Sequence, residues 1–400
     1  KESELFAKNK AVYPHAALVT NLDGDLYPDL IVVDDSGRTN PVYRNSGDAD
    51  FSEVTEDTGL DGAGWSMGAT AGDFDGDGHI DLALTNIEFL AFHRMIHAKS
   101  DTKSPVFFGK EVDSLRNFFR GNQLFRNKGD GTFEEMGEQA GVSWAGEAPA
   151  GVEFIDYNND GHLDMYVANG LWSAGEEEFT SVFARMCFSD SVAEYKEATE
   201  ATARSPFTQD PNPILTFLRE YRGTLENPGE ATEAKPSLSM AGYQRNRLFR
   251  NNADGSFTEV GYFENADRIE DGYMAATADY DGDGNQDLFL RHCDPAPGYE
   301  FSSLTLLRNT RTKGKSLQVF LEGTKSNRNG VGAIVTAQVG EQKIVREIRS
   351  VAGAVQGEPS AFIGLGDATQ ADKVEIRWPS GLVQTFDNVS AGRVKLREGS

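Results

Sequence analysis

Acidic residues at alternate positions of a tight turn are the most chemically distinctive feature of this chain. Four segments share the pattern: NLDGDLYPD from Asn21, DFDGDGHID from Asp73, DYNNDGHLD from Asp156 and DYDGDGNQD from Asp279. Each places side-chain oxygens at positions 1, 3, 5 and 9. The candidate ligands are Asn21, Asp23, Asp25 and Asp29 in the first loop, and Asp73, Asp75, Asp77 and Asp81 in the second. Asp156, Asn158, Asp160 and Asp164 follow in the third, and Asp279, Asp281, Asp283 and Asp287 in the fourth. Position 7 can add a backbone carbonyl, at His79, His162 and Asn285. An all-oxygen donor set suits a hard cation. Calcium takes six to eight oxygens at about 2.3–2.6 Å in flexible geometry, whereas magnesium demands a shorter octahedron. Glycine at position 6 lets the chain turn without a Cβ clash. The expected cofactor is calcium, about three to four ions, bound by carboxylates that would otherwise repel one another. The first loop, with Asn21 at its head and Leu26 in place of glycine, is expected to be weakest.

Half of an EF-hand loop looks similar, but the glutamate at position 12 and the flanking helices are missing. What flanks these loops instead is apolar. Small and apolar residues such as SMGATAG precede them, and the runs LIVV, LALT, MYVA and LFLR follow. That pattern reads as strand, acidic loop, strand. A second element follows at a variable distance: NPVYRNSGDADFSEV from Asn40, NQLFRNKGDGTFEEM from Asn122 and NRLFRNNADGSFTEV from Asn246. A degenerate fourth copy starts at Leu304. Asn, Gly and Asp clustered between apolar alternations signal a hairpin. One loop pair plus one hairpin makes four strands, the size of a propeller blade. The fold class expected is all-β, a β-propeller of four-stranded blades with calcium loops.

Unequal loop spacing leaves room for inserts at about 88–121 and 171–243. Phe179, Val182, Phe183 and Met186 fall at helical spacing in the second of these. From Lys315 the acidic loops stop and short alternating strands continue to the end. Residues 1–314 are therefore expected to form the propeller, and 315–400 a small β domain that packs against the array or helps close it.

A net charge of −25 and a pI near 4.6 argue against nucleic acid and anionic membrane surfaces. No apolar run is long enough to span a bilayer. The opening KESELFAKNK has no apolar signal region. Loops of extracellular modules bind calcium at about 10⁻⁴–10⁻³ M and would stay empty in a cytosol. The expected location is thus extracellular or periplasmic, with a signal peptide already removed. Cys187 and Cys293 are the only cysteines, and whether they pair stays open.

These loops resemble the FG-GAP/VCBS repeat of integrin α-chain-type propellers. SNRNGVGA at 326–333, GLGDA at 364–368 and VEIRWPSG at 374–381 are similar to the ASPIC/UnbV domain, and GYQRNRLF at 242–249 fits bacterial members. The chain is identified as a member of that group, which includes the cartilage acidic proteins. The resemblance implies a secreted, calcium-bearing propeller and no single activity. SVAGAVQGEPSA at 350–361 departs from it, where a more polar, aromatic-bearing segment is expected.

Other constellations are weaker. His93 and His97 share a helical face, but Arg94 stands where HExxH needs glutamate. Cys187 sits on an apolar helix face, which suits packing. Glu176, Glu177 and Glu178 suit a helix N-terminus. Trp65, Trp144 and Trp172 can line a small-molecule pocket or serve the core, and NVS at 388–390 fits a glycosylation sequon. The primary expectation is a non-enzymatic module that binds a protein or carbohydrate ligand on the insert face. A cofactor-less enzyme acting on a polyketide-like or sugar-like molecule, in a pocket capped by 171–243, is the alternative. A structural subunit of a cell-surface assembly is a third.

Overall fold

The computed structural model describes residues 14–25, 27–47, 50–60, 62–88, 121–144, 147–170, 244–292, 304–310, 314–352 and 355–400. Most of the insert residues, His93, His97, Trp172, Cys187, Cys293 and Leu26 lie outside them.

The N-terminal part is a series of antiparallel blades. Blade 1 consists of β1 (Pro14–Thr20), β2 (Asp29–Thr39), β3 (Val42–Asn45) and β4 (Phe51–Glu53). Blade 2 repeats the order with β5 (Ala63–Gly72), β6 (Asp81–Asn86), β7 (Gln123–Asn127) and β8 (Phe133–Glu135). Blade 3 follows with β9 (Pro149–Ile155), β10 (Asp164–Asn169), β11 (Arg247–Asn251) and β12 (Phe257–Glu259). Four-residue helices follow the first two blades: α1 (Thr55–Thr58) and α2 (Gly137–Ala140).

Blade 4 differs from its expected form. Among the described residues its sheet holds three strands, β13 (Gly272–Ala278), β14 (Asp287–His292) and β15 (Leu304–Leu307). The degenerate copy lacks the Asn-Gly-Asp turn, so the chain does not fold back into a fourth strand. It continues as β16 (Lys315–Glu322) into another sheet.

Each acidic loop joins the first two strands of its blade. The cross-strand pairs that close the loops are Thr20 with Asp29, Gly72 with Asp81, Ile155 with Asp164, and Ala278 with Asp287. The position-9 aspartate therefore opens the second strand in all four blades. The chain leaves β6 at Asn86 and re-enters at Gln123, and it leaves β10 at Asn169 and re-enters at Arg247. Both departures are at the blade ends opposite the acidic loops.

Blades stack through apolar faces. Leu18, Ile31, Leu82 and Phe125 bury between blades 1 and 2; Leu124, Val152, Met165 and Phe249 between 2 and 3; Tyr166, Leu248, Leu288 and Leu290 between 3 and 4. A fully buried side chain of this size contributes about 1.5–3 kcal/mol. The first strands of successive blades also pack on one another, β1 on β5, β5 on β9 and β9 on β13. Small residues permit that approach. A Cβ on Gly68 would lie 2.4 Å from the Ala150 carbonyl oxygen, and one on Gly151 2.9 Å from the Met274 Cα. Gly151→Ala is accordingly expected to lower stability by about 1–3 kcal/mol, by forcing β9 off β13. Chemical denaturation would read the loss, and an unchanged midpoint would contradict the close approach.

The C-terminal part is a two-sheet sandwich. One sheet holds β16 between β21 (Ser360–Gly366) and β24 (Gly392–Arg397), the latter parallel to it. The other runs β18 (Gln342–Glu347), β17 (Ile334–Val339), β22 (Gln370–Arg377) and β23 (Val383–Ser390). Trp378, Leu317, Val335, Ile363 and Ile376 fill the space between them. A hairpin of β19 (Val351–Ala352) and β20 (Val355–Gln356) reaches back to β1 and β13 of the blades. Glu398 staples the tail: one carboxylate oxygen accepts the backbone N–H groups of Thr324, Lys325 and Ser326. The Ser380 hydroxyl, which donates to the other oxygen, and those backbone bonds hold its carboxyl well below the usual range. Removing it leaves three donors without that partner. Glu398→Ala is expected to cost about 2–3 kcal/mol, read by thermal melting.

Candidate metal centre

Every acidic loop is built on the same hydrogen bonds. At position 1, Asp73 accepts the N–H groups of Gly76 (2.9 Å) and Gly78 (3.1 Å), and Asp279 those of Gly282 (2.8 Å) and Gly284 (3.0 Å). Asn21 accepts from Gly24, and Asp156 from Asp160 and Gly161. Position-3 and position-5 carboxylates accept from the residue two further on, as Asp75 does from Asp77 and Asp77 from His79. Glycines 78, 161 and 284 at position 6 have φ of +96°, +89° and +88°. These bonds shape the turn and gather oxygens on its inner side.

In two loops the gathering is complete. Carboxylate oxygens of Asp73, Asp75 and Asp81 all lie within 4.8 Å of one another, as do those of Asp279, Asp281 and Asp287. Oxygens bound to one calcium at about 2.3–2.6 Å stand up to about 5 Å apart, so both triads have room for a common ion. Asp77 and Asp283 sit beside these triads, each 3.4 Å from an arginine, Arg126 and Arg308 respectively. Neither His79 nor Asn285 adds a ring or amide to the triads. The His79 ring lies against Gly129, and Asn285 bonds to Asp283 and Asn159.

Loops 1 and 3 are arranged differently. Asp23 pairs with Arg44 at 3.2 Å, and Arg377 donates to the carbonyl oxygens of Gly24 (2.7 Å) and Asp25 (3.1 Å). In loop 3, one Asp156 oxygen also accepts from Gly364 and lies 4.0 Å from the buried Arg346 guanidinium. The Asn158 amide donates to Asp160, and His162 approaches Gln342. A fixed guanidinium already supplies positive charge here.

Burial makes several of these carboxyls reluctant to ionise. Desolvation pushes Asp29 and Asp73 up to about 6, Asp156 to about 7 and Asp81 to about 9, and neighbouring loop carboxylates add to it. Asp164 is raised well above its ordinary range for the same reasons, and Asp25, Asp75 and Asp287 are also raised. Several buried acids facing one another, with oxygen-only donors, fit a bound cation.

The position-9 aspartate has a second role that the spacing did not reveal. One of its oxygens accepts the N–H of the loop's position-2 residue. The other accepts from an asparagine on the neighbouring hairpin: Asn45 to Asp29, Asn127 to Asp81, Asn251 to Asp164, and Asn309 to Asp287, all at 2.7–2.8 Å. The same asparagines stitch blades together. Asn127 Nδ2 donates to the Leu22 carbonyl of the preceding blade, Asn251 to Phe74, and Asn309 to Tyr157. The arginine before each, except Arg250, pairs with position 3: Arg44 with Asp23, Arg126 with Asp75 (2.7 Å) and Arg308 with Asp281 (2.6 Å). The recurring dipeptide Arg-Asn in YRN, FRN, FRN and LRN carried this signal.

The C-terminal sandwich docks on the blade end that carries the loops. Arg377 reaches loop 1, Lys343 approaches Gly78 of loop 2, and Arg346 donates to the Gly161 carbonyl of loop 3. At loop 4, Arg393 donates to the Asp279 carbonyl, and Ser316 to that of Gly284. The candidate centres thus line a domain interface.

Sequence comparison matches this architecture in order. The profile of the FG-GAP-like repeat covers residues 21–84, 112–167 and 237–290, and that of ASPIC and UnbV covers 323–400. The chain belongs to the FG-GAP-like repeat, ASPIC and UnbV family. Among relatives of this family, cartilage acidic protein 1 of Xenopus tropicalis is 26% identical over 272 residues, 66% of this chain and 39% of that protein. The Homo sapiens protein of the same name is 25% identical over 283 residues, 68% of this chain and 39% of its own. The chain therefore spans well under half the length of these relatives. The V. cholerae biofilm matrix protein Bap1 aligns over 94% of this chain and 59% of its own at 12% identity, with a TM-score of 0.29. A score that low supports no fold argument.

Of the tryptophans, Trp65 is half-buried in β5, and Trp144 is partly exposed with the Arg247 guanidinium 4.1 Å above its ring. Among the described residues, no helix is long and apolar enough to cross a membrane.

Proposed function

We propose that the chain is a secreted, calcium-bearing propeller that acts as a binding or scaffold module. Calcium in loops 2 and 4 would lock the blades and the C-terminal sandwich into one rigid unit. The observation that carries this reading is the convergence of two acid triads, each with two buried members, at the interface between the two parts. Loops 1 and 3, whose carboxylate oxygens form no such converged triad among the described residues, would be the weaker sites. Side chains at the remaining loop positions, including Asp25, Asp77, Asp160 and Asp283, would contribute through water or on filling. A millimolar-calcium environment outside the cytoplasm is where such sites are occupied. The opposite blade ends, from which segments 88–121 and 171–243 depart, are left for a protein or carbohydrate ligand.

Hydrogen exchange tests the locking role. Chelation is expected to accelerate exchange in peptides covering 315–322, 342–349 and 392–397, whose Ser316, Lys343 and Arg393 reach loops 2 and 4, and calcium to restore protection. Identical protection with and without calcium would contradict it.

A further inference from the structure

A cavity of about 120 Å³ lies where the inner strands β9 and β13 meet the C-terminal sandwich. A buried water needs roughly 10–15 Å³ of such space, so the cavity holds several waters or one small organic molecule. Three of its lining side chains present a buried polar atom with no hydrogen-bond partner: Glu153 Oε2, Gln318 Oε1 and Arg349 Nη1. Glu153 is only 7% exposed and Gln318 4%. The Gln318 amide is oriented by its own contacts. Its Nε2 donates to Glu358 (2.8 Å) and Ser360 (3.0 Å), which leaves Oε1 as the free acceptor. Leaving such groups unmade costs about 1–3 kcal/mol each, which is unusual for three atoms around one space.

The lining selects among ligand classes. Three glutamates, Glu153, Glu347 and Glu358, outnumber Arg346 and Arg349, so an anion is disfavoured. Those glutamates do not form a converged oxygen cluster, so no preformed metal site exists there among the described residues. An apolar guest would leave all three polar atoms unpaired. A hydroxyl both donates and accepts, so one polyol can give protons to Glu153 and Gln318 and take one from Arg349. The rings of Phe154 and Phe362 in the same wall offer apolar surface to its C–H face.

We propose that this junction cavity is a binding site for a small neutral polyhydroxylated molecule, of monosaccharide size or below, held by Glu153, Gln318 and Arg349. None of the three is a loop residue, although Asp279 and Gln286 of loop 4 stand in the same wall.

Saturation-transfer NMR of the calcium-loaded full chain, with glycerol, myo-inositol and D-galactose as probes, tests it. At least one probe is expected to bind saturably, with a Kd of about 1 mM or tighter. Glu153→Leu and Gln318→Leu should each weaken that binding at least about tenfold, a change of 1.4 kcal/mol. Glu153→Leu removes a buried carboxyl whose Oε2 has no hydrogen-bond partner, and the melting temperature should not fall. If it fails to fold, Gln318→Leu alone decides. Saturable binding by none of the three probes, or binding unchanged in the folded variants, would reduce the cavity to a site for ordered water and overturn the proposal.

Discussion

Metal-free protein is expected to lose stability as pH rises from about 5 to 9, and calcium to abolish that loss. The sign follows from the loop carboxyls. Their folded-state values, about 6 for Asp29 and Asp73, about 7 for Asp156 and about 9 for Asp81, lie above the roughly 3.9 of an unfolded aspartate. Groups raised on folding contribute stability that is complete below the unfolded value and is lost as pH climbs through the folded one. A carboxyl that folding makes tenfold harder to ionise contributes about 1.4 kcal/mol in this way, so the stripped protein weakens from just above pH 4, where unfolded aspartates ionise, up to about pH 9, where Asp81 does. Calcium binds the ionised form and reverses the balance. One site filled to about 100 times its Kd adds about 2.7 kcal/mol, and two add about 5 kcal/mol. At pH 8 that is a rise in melting temperature on the order of 10 °C. Calorimetry at pH 5 and pH 8, with chelator and with calcium, separates the four states. Equal melting temperatures for stripped and loaded protein at pH 8 would leave the acid clusters without a cation to explain them.

The second large effect belongs to a neutral side chain. Asn251 is buried, and its Nδ2 donates to the carbonyls of Phe74 in blade 2 and Leu163 in blade 3. Asn251→Ala leaves both acceptors without that donor, at about 1–3 kcal/mol each, so a loss of about 2–6 kcal/mol is expected. Asn127→Ala should behave alike, since that side chain bridges Leu22 and Ile80. The adjacent Arg126→Ala is the contrast. Arg126 is half-buried and its partner Asp77 is exposed, and pairs open to solvent on one side contribute about 0–1 kcal/mol. Denaturant titration of the three variants in saturating calcium would rank them. An arginine loss as large as either asparagine loss would mean that the blades are held by charge, not by the stitch.

Much of this arrangement was legible in the sequence because it is local and repeated. Strand, loop and strand sit within about twenty residues, and the glycine at position 6 is there for a turn that only a positive φ closes. The hairpins of the first three blades were legible for the same reason, through Asn and Gly between apolar alternations. Three things were not. The loss of the fourth strand in blade 4 depends on β16 finding β21 and β24, partners far along the chain. The contacts that Arg346, Arg377 and Arg393 make with loops 3, 1 and 4 were hidden because these residues come from another part of the chain and reach the loops only after docking. The double duty of Asp29, Asp81, Asp164 and Asp287 was hidden because a position that fits a ligand also fits a backbone staple. Pattern alone cannot separate two uses of one carboxylate; its hydrogen-bond partners can.

Calcium stoichiometry measured on three forms tests the central claim most directly: the wild-type chain, Asp75→Asn, and Asp75→Asn with Asp281→Asn. Isothermal titration beside elemental analysis would give both number and affinity. Two tight ions are expected in the wild type, one in the single variant and none in the double, with any weaker binding at loops 1 and 3 unchanged. Tight binding that survives the double substitution, or none in the wild type, would contradict the assignment of the ions to loops 2 and 4.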